Sequence, residues 1–357
     1  VAAVLALPAV AGHFGVRGGG YLMSNSGAWD FNHAAAIAAD EPQTRVINMN
    51  QVGRALSEPT EAPISLVLNY NANPLATFPD QERVRAGLLR EDLFTCVFEQ
   101  TWTDTARYAD LLLPATTFLE HDELRRSYGA LICLRSRPAI PAVGEARSNL
   151  DVFRALLDRL GLSEPDDPTT PDELVEALLG KERALRLEQD GSLVPPCGAH
   201  PIQMVDVTPK THDGKIHLLP QALEDMAPDG LYAFRPPQVL QPFPLTLISP
   251  ASRRAISSTL FQLHDGIVPV ELSPRDAEQR GISSGDRVRV HNDLGEVLTH
   301  AKVSANVRAG VACLPKGLWA KHTLNGATAN ALCPDTLTDL GGGACFNDAR
   351  VEVELQR

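Results

Sequence analysis

The sequence predicts an α/β domain built on a parallel sheet, followed by a β-rich barrel domain. Three observations predict it. Apolar runs at residues 65–68, 94–98 and 111–113 each empty into a polar loop, the pattern of short buried parallel strands. A helical segment at 81–89 lies between the first two. From residue 245 onward the chain turns to short strands separated by turn signals. In an open parallel sheet the carboxyl ends of the strands share one edge, and ligands bind in the crevice there. The three polar loops therefore mark the candidate site.

Taken in order, residues 1–11 read as the end of a helix. They are apolar but short, contain Pro8 and have no basic segment before them, so they form neither a signal peptide nor a membrane span. With Val1 in place of Met, the expectation is a chain whose start lies upstream. The run from Gly12 through Gly15 to Gly18, Gly19 and Gly20 invites a phosphate-loop reading. Met23 breaks the dinucleotide fingerprint, which leaves a tight backbone turn. Residues 29–39 read as a helix and 45–49 as a strand. Asp80 is placed to cap the helix at 81–89. Apolar positions from Leu150 to Leu160 recur at helical spacing, with Asn149 as the N-cap and Gly161 as the stop.

A second helix is expected at 171–187, with Thr170 as N-cap and Pro171 at its first position. Residues 203–207 and 215–218 read as a strand pair around the turn His212-Asp213-Gly214. The proline-rich stretch 228–244 marks a boundary. Strands follow at 245–249, 268–272, 287–292, 296–303, 311–314 and 350–355, with a hairpin turn at Asp293-Leu294-Gly295. Ser273, Pro274 and Asp276 open a helix that Gly281 stops. This pattern makes a closed or nearly closed barrel. The expected domains are 1–162, an α/β domain incomplete at its start, then a connecting segment at 163–243 and a barrel domain at 244–357.

Composition sets bounds on function. The chain has 357 residues, 44% hydrophobic and 21% charged, with a net charge of −12. That balance argues against a non-specific surface for nucleic acid or anionic membrane and leaves room for a phosphate-bearing cofactor held by local backbone donors; the expected substrate is a small molecule. Six cysteines stand apart with no Cys-x-x-Cys pair, so zinc and iron–sulfur spacings are missing and the thiols read as buried and free. Ten histidines are scattered without ligand spacing, and no metal ligand is assigned. The metalloprotease, nucleophile-elbow and phosphate-loop motifs are also absent.

The candidate residues follow from chemistry at strand ends. Glu99 can accept two hydrogen bonds from the N1–H and amino group of a guanine. Thr103 and Thr105 offer hydroxyls to phosphate or ribose, with helix capping as the plain alternative. Asn71 and Asn73 suit nucleotide edges, or simply turn geometry. In the barrel, Ser249, Ser252, Arg253, Arg254, Ser257, Ser258 and Thr259 combine hydroxyls with guanidiniums, which suits a pyrophosphate or a heteroatom-rich ring. Lys316, Trp319 and His322 line the loop that precedes Asn330.

Three of these stretches carry a resemblance. Asn71-Ala72-Asn73-Pro74, Thr103-Asp104-Thr105-Ala106 and the run from Tyr108 through Asp110 and Pro114 to Glu120, in this order and spacing, resemble the molybdopterin oxidoreductase superfamily. Formate dehydrogenases, nitrate reductases and the dimethyl sulfoxide reductase group belong to it. The resemblance implies part of an αβα sandwich followed by a six-stranded double-psi barrel. It implies bis-(molybdopterin guanine dinucleotide) carrying molybdenum or tungsten, with formate-dehydrogenase-like chemistry favoured. It also implies that Glu99 holds a guanosine, that His121 lies near phosphate, and that Asn149 touches the guanosine end. The loop 249–259 would lie across the pterins, with Asn330 and Asn347 on a pterin edge. The metal ligand and any iron–sulfur cluster would lie in an upstream half, so no catalytic residue is assigned here and the chain is not expected to be active alone. The expected partner is an electron-transfer subunit or redox protein, and the expected location is cytoplasmic. Two alternatives stand beside this reading: a metal-free structural homologue in a respiratory complex, and a nicotinamide-dependent dehydrogenase.

Overall fold

The computed structural model describes residues 2–35, 44–58, 61–227, 229–234, 242–253 and 255–356. Packing divides the chain into two units, one of residues 1–43 with 115–236 and one of residues 44–114 with 237–357. The linear domains expected above divide the chain differently, because packing groups the parallel-sheet segment with the barrel segment. No helix of the described residues is long and apolar enough to cross a membrane.

The second unit opens with a three-stranded parallel sheet, β1 (Leu66–Tyr70), β2 (Phe94–Glu99) and β3 (Leu111–Pro114), in that order. Leu66 pairs with Phe94, and Glu99 pairs with Pro114. The crossover from β1 to β2 carries the expected helix, Gln81–Leu88. The Asp80 carboxylate starts it by accepting from the Arg83 N–H at 3.3 Å. Leu56, Leu75, Val84, Leu88 and Leu93 form the core against this crossover. Leu66, Leu68 and Tyr70 of β1 remain exposed, although parallel sheets are generally covered on both faces.

The other unit holds a short antiparallel pair, β4 (Glu123–Arg126) and β5 (Cys133–Ser136), and the helices Asn149–Leu160, Pro171–Leu179 and Lys181–Asp190. Its core gathers Trp29, Cys133, Val175, Leu179, Leu187 and Leu193.

The barrel in the second unit comprises β6 (Leu245–Ile248), β7 (Val270–Leu272), β8 (Arg287–His291), β9 (Glu296–Val303), β10 (Val311–Cys313) and β11 (Arg350–Leu355). It is closed in the order β10-β6-β11-β8-β9-β7. Alternation decides which side chains face in: Val288 and Val290 of β8, Val297 of β9, and Val351 and Val353 of β11 are fully buried. The β8–β9 hairpin closes at the expected turn through an Asn292 N–H to Gly295 carbonyl bond of 3.1 Å. The helix Pro274–Gln279 starts at Ser273, whose hydroxyl accepts from the Asp276 N–H.

Several expectations fail for local reasons. The cap of the helix Asn149–Leu160 is Ser148, not Asn149. Ser148 and Asp151 form a reciprocal capping box, and Asn149 occupies the first helical position. The helix expected at 171–187 begins as expected at Thr170 but breaks at Gly180, whose φ of 80° and ψ of 154° are not helical. The strand pair at 203–207 and 215–218 does not form; only an isolated bridge joins Gln203 and Val207. There Thr211 Oγ1 donates to the Lys215 carbonyl at 2.8 Å, and Asp213 accepts from the Lys215 N–H at 3.1 Å. These side chains engage backbone groups that a ladder would need. Residues 45–49 hold no strand; the Asn48 side chain instead caps a 3-10 turn at Met49–Gln51. Of the helix expected at 29–39, a 3-10 turn at His33–Ala35 is present, and residues 36–39 lie outside the described residues. Much of the boundary at 228–244 and Arg254 also lie outside them.

The cap correction is testable by chemical denaturation. Ser148→Ala should lower stability by about 1 kcal/mol, whereas Asn149→Ala should stay within about 0.5 kcal/mol of wild type.

Candidate functional site

The loop after β1 is built by asparagines. Asn69 donates to the Ala72 carbonyl at 2.9 Å and closes the turn. Asn71 takes a φ of 53° and is exposed, which is turn geometry. Asn73 differs, being only 5% exposed. Its Oδ1 accepts from the Thr105 hydroxyl at 2.8 Å, and that hydroxyl accepts in turn from the Leu75 N–H at 3.1 Å. Its Nδ2 is buried with no partner among the described residues. A buried donor left unpaired costs about 1–3 kcal/mol, so this amide nitrogen is a donor waiting for an acceptor.

The loop after β2 carries a carboxylate of the same character. Glu99 is half-buried, and its carboxylate accepts from the Gln100 N–H at 2.8 Å. Burial pushes its pKa up, against the pull of that N–H, and no cation among the described residues offsets it. Thr103 is buried and accepts from the Ala106 N–H at 3.1 Å, the capping role. Asp104 is 8% exposed and accepts from the Ala320 N–H at 2.7 Å. It ties the loop after β2 to the barrel loop after β10. Burial raises its pKa too, opposed first by that backbone bond.

The barrel loops continue from this tie. The Trp319 indole donates to the Ser258 carbonyl at 2.8 Å. Gly317 has a φ of 75°, and a Cβ there would stand 2.1 Å from the Ser257 carbonyl oxygen, so only glycine lets the two backbones approach. Ile256 and Thr259 exchange backbone bonds of 3.1 and 2.9 Å, which turns the loop. Arg253, Ser257 and Thr259 are exposed, and Ser252 and Ser258 are half-buried. At the loop's start the Ser249 N–H donates to Asn347 Oδ1 at 3.4 Å, and the Ser249 hydroxyl is buried without a partner among the described residues. The structure thus brings Ser249 and Asn347 together across β6 and the entry to β11.

Other candidates have plainer roles. Asn330, 3% exposed, donates to the Ala76 carbonyl at 3.2 Å, holding the short helix Pro74–Thr77 to the barrel. His322 is fully buried; its Nδ1 accepts from the Trp319 N–H at 3.1 Å and its Nε2 lies 3.0 Å from the His264 carbonyl oxygen, so both ring nitrogens are engaged in holding the loop. His121 and Asn149 belong to the other unit. There His121 Nδ1 meets the Thr116 hydroxyl at 3.0 Å and its Nε2 lies 3.6 Å from Glu123, while Asn149 is exposed. Asp104 is the functional-loop residue that sequence reasoning passed over. It sits inside the Thr103–Ala106 motif, but its partner is more than two hundred residues away. The same holds for Arg54, which forms a two-pronged pair with Asp335 at 2.7 and 3.0 Å.

In the other unit, the glycine run forms a tight turn. Gln203 receives the Tyr21 N–H at 3.1 Å and donates back to the Tyr21 carbonyl at 2.6 Å. A Cβ on Gly20 would collide with that Gln203 side chain at 2.0 Å. This turn lines a cleft of about 1030 Å³ with Tyr128 and His200.

A parallel sheet with polar loops at its carboxyl edge, joined to a barrel loop of hydroxyls, and with unpaired buried donors on both, defines a scaffold for a large polar cofactor. The comparisons agree with that class. Residues 3–159 match the family model described as molybdopterin oxidoreductase, and residues 253–350 match the molydopterin dinucleotide binding domain. The chain belongs to the molybdopterin oxidoreductase family. It is 33% identical to the Probable oxidoreductase YoaE of Bacillus subtilis over 99% of this chain and 54% of that protein. It is 26% identical to the dimethyl sulfoxide/trimethylamine N-oxide reductase of Cereibacter sphaeroides, over 88% of this chain and 46% of that one. The solved structure of acetylene hydratase from Pelobacter acetylenicus shares the fold, with a TM-score of 0.71 at 19% identity, covering 87% of this chain and 46% of that one. The chain spans about half the length of the curated relatives it matches.

The raised pKa of Glu99 has a sign that can be measured. A folded-state pKa above the ordinary 4.5 means the fold favours the neutral acid. That contribution is complete below pH 4.5 and is lost as pH rises through the folded value. Glu99→Gln, which keeps the shape and removes the charge, should therefore raise the Tm of the cofactor-free chain at pH 7 to 8. The gain should shrink toward zero as pH falls to about 4. A Tm difference independent of pH in thermal unfolding would contradict the buried-charge account.

Proposed function

We propose that the chain supplies one guanosine site and much of the pterin cradle of a molybdenum or tungsten oxidoreductase that carries bis-(molybdopterin guanine dinucleotide). The observation that carries this reading is the pair of unmet groups at the sheet's carboxyl edge: the buried, unpartnered Asn73 amide nitrogen and the half-buried Glu99 carboxylate without a cation. Among the described residues no protein group completes them; a guanosine would. Glu99 can accept from a guanine N1–H and amino group, and Asn73 Nδ2 can donate to a ring or ribose oxygen. On the barrel side, Ser249 and Asn347 would meet the pterin edge, with Ser252, Arg253 and Ser257 toward the phosphates. The cofactor supplies two-electron redox chemistry at its metal. The chain binds it, orients it and sets the charge around it.

In a barrel that is otherwise antiparallel, the parallel pairs β6–β10 and β7–β9 support the double-psi topology. The relatives named for a substrate act on trimethylamine N-oxide and dimethyl sulfoxide. They favour reduction of a small N- or S-oxide over the formate-dehydrogenase-like chemistry expected from sequence. The electrons then come from a redox partner protein. Six free cysteines suit a reducing compartment such as the cytoplasm.

Two variants test the reading in the enzyme that carries this chain. Glu99→Ala removes a charge-assisted hydrogen bond worth about 1.5–3 kcal/mol, so guanine nucleotide released from the purified protein should fall without vanishing. Full nucleotide content would remove Glu99 from the site. Asn347→Asp should fold normally by circular dichroism yet lose cofactor or turnover, because a carboxylate replaces an amide beside an anionic cofactor. Normal cofactor content together with normal turnover in that variant would remove Asn347.

A further inference from the structure

Among the described residues, His212, Asp213 and His217 bring one ligand atom each to within 4.8 Å of one another. The scattered histidines of the sequence concealed this, because four residues separate His212 from His217 and no helix or strand links them. Here they are gathered by a loop stapled to itself. The Gly214 N–H donates to the Thr211 carbonyl at 3.2 Å, and the Thr211 hydroxyl donates to the Lys215 carbonyl at 2.8 Å. Gly214 takes a φ of 66°, the left-handed conformation that lets the chain reverse in so few residues. The reversal sets the His212 and His217 rings edge to face, with centroids 5.3 Å apart, and puts His217 Nε2 at 2.8 Å from Asp213 Oδ1.

We propose that this loop is a divalent transition-metal site of the zinc class, with His212, Asp213 and His217 as its protein ligands. Two imidazoles and one carboxylate are the donor set that borderline cations such as Zn²⁺ and Co²⁺ accept, with water completing the shell. A hard cation such as Mg²⁺ prefers oxygen ligands and would compete poorly. All three ligands lie in the unit of residues 1–43 and 115–236, whereas Asn73, Glu99, Ser249 and Asn347 lie in the other.

The consequence is structural. Among the described residues from 202 to 234 the only helix is the four-residue Gln221–Glu224, and no strand forms. Exposed Val205, Ile216, Leu218 and Leu219 show how little apolar burial holds this stretch. A bound ion that cross-links its reversal would restrict its opening, since a ligand that binds the closed form shifts the equilibrium toward it.

The test uses the purified chain, stripped with chelator and kept reduced. Zinc titrated by calorimetry, and cobalt followed by its visible absorption, should show one equivalent of tight binding in wild type. His212→Ala and His217→Ala should each weaken that step by tenfold or more. The exposed His33→Ala should leave it unchanged. Because zinc can also meet the free thiols, limited proteolysis gives a second reading. Zinc should slow cleavage between residues 205 and 225 several-fold in wild type and not in the histidine variants. Equal zinc affinity and equal protection in wild type and both histidine variants would overturn the proposal, as would no stoichiometric binding at all. Neither result bears on the guanosine site, which Glu99→Ala tests separately.

Discussion

The candidate cofactor site depends on a belt of buried polar side chains that joins the loops of the parallel sheet to the loops of the barrel. Asp104 accepts from the Ala320 N–H, Asn330 donates to the Ala76 carbonyl, and Gln81 accepts from the Thr328 N–H at 2.9 Å while donating to the Leu75 carbonyl. Asp335 sits beneath Arg54 and Arg83. Each net bond contributes only about 0.5–1.5 kcal/mol, but an unmet buried partner costs about 1–3 kcal/mol. The belt therefore acts less as glue than as a specification. Any other seating of sheet loops against barrel loops leaves several buried groups unpaired at once.

Against that background the unmet groups gain meaning. Among the described residues, Asn73 Nδ2, Ser249 Oγ and Thr328 Oγ1 of these loops are buried without a partner, and burial pushes the pKa of Glu99 up. The proposal that a ligand completes Asn73 and Ser249 is in keeping with a family model described as a molydopterin dinucleotide binding domain. The same contrast separates the candidates. Asn330 donates to the Ala76 carbonyl and Thr103 accepts from the Ala106 N–H, so each has a part in holding the chain. Glu99 and Asn73 are not explained that way.

How much of this was legible in the sequence depended on the range of the interaction. Local rules wrote the β8–β9 hairpin, the Asp80 and Thr170 caps, the β11 strand with its alternating valines, and the three strands that deliver polar loops to one edge. Each rests on periodicity or on a side chain bonding three residues away, and both are visible in a short window. The local signals that misled were ties between equally good rules. Ser148 and Asn149 are both good caps, and the carboxylate of Asp151 decided for Ser148 by completing the box. Around residue 213 the hairpin signal lost to Thr211 and Asp213, which bond the backbone themselves.

The sequence by itself determined the three parallel strands with their crossover helix, the closed barrel that follows them, the family, and the loops on which the candidate site is built. Tertiary structure decided which residues of those loops are available to a ligand and which are held by the fold. The physical reason is that availability is a matter of partners. Whether an amide or carboxylate is already paired depends on groups such as Ala320 and Ala76, which lie hundreds of residues from the side chains they engage. It also depends on burial, which no short stretch of sequence encodes. The gathering of His212, Asp213 and His217 was likewise decided by a loop conformation, because no repeating backbone geometry converts their spacing into proximity.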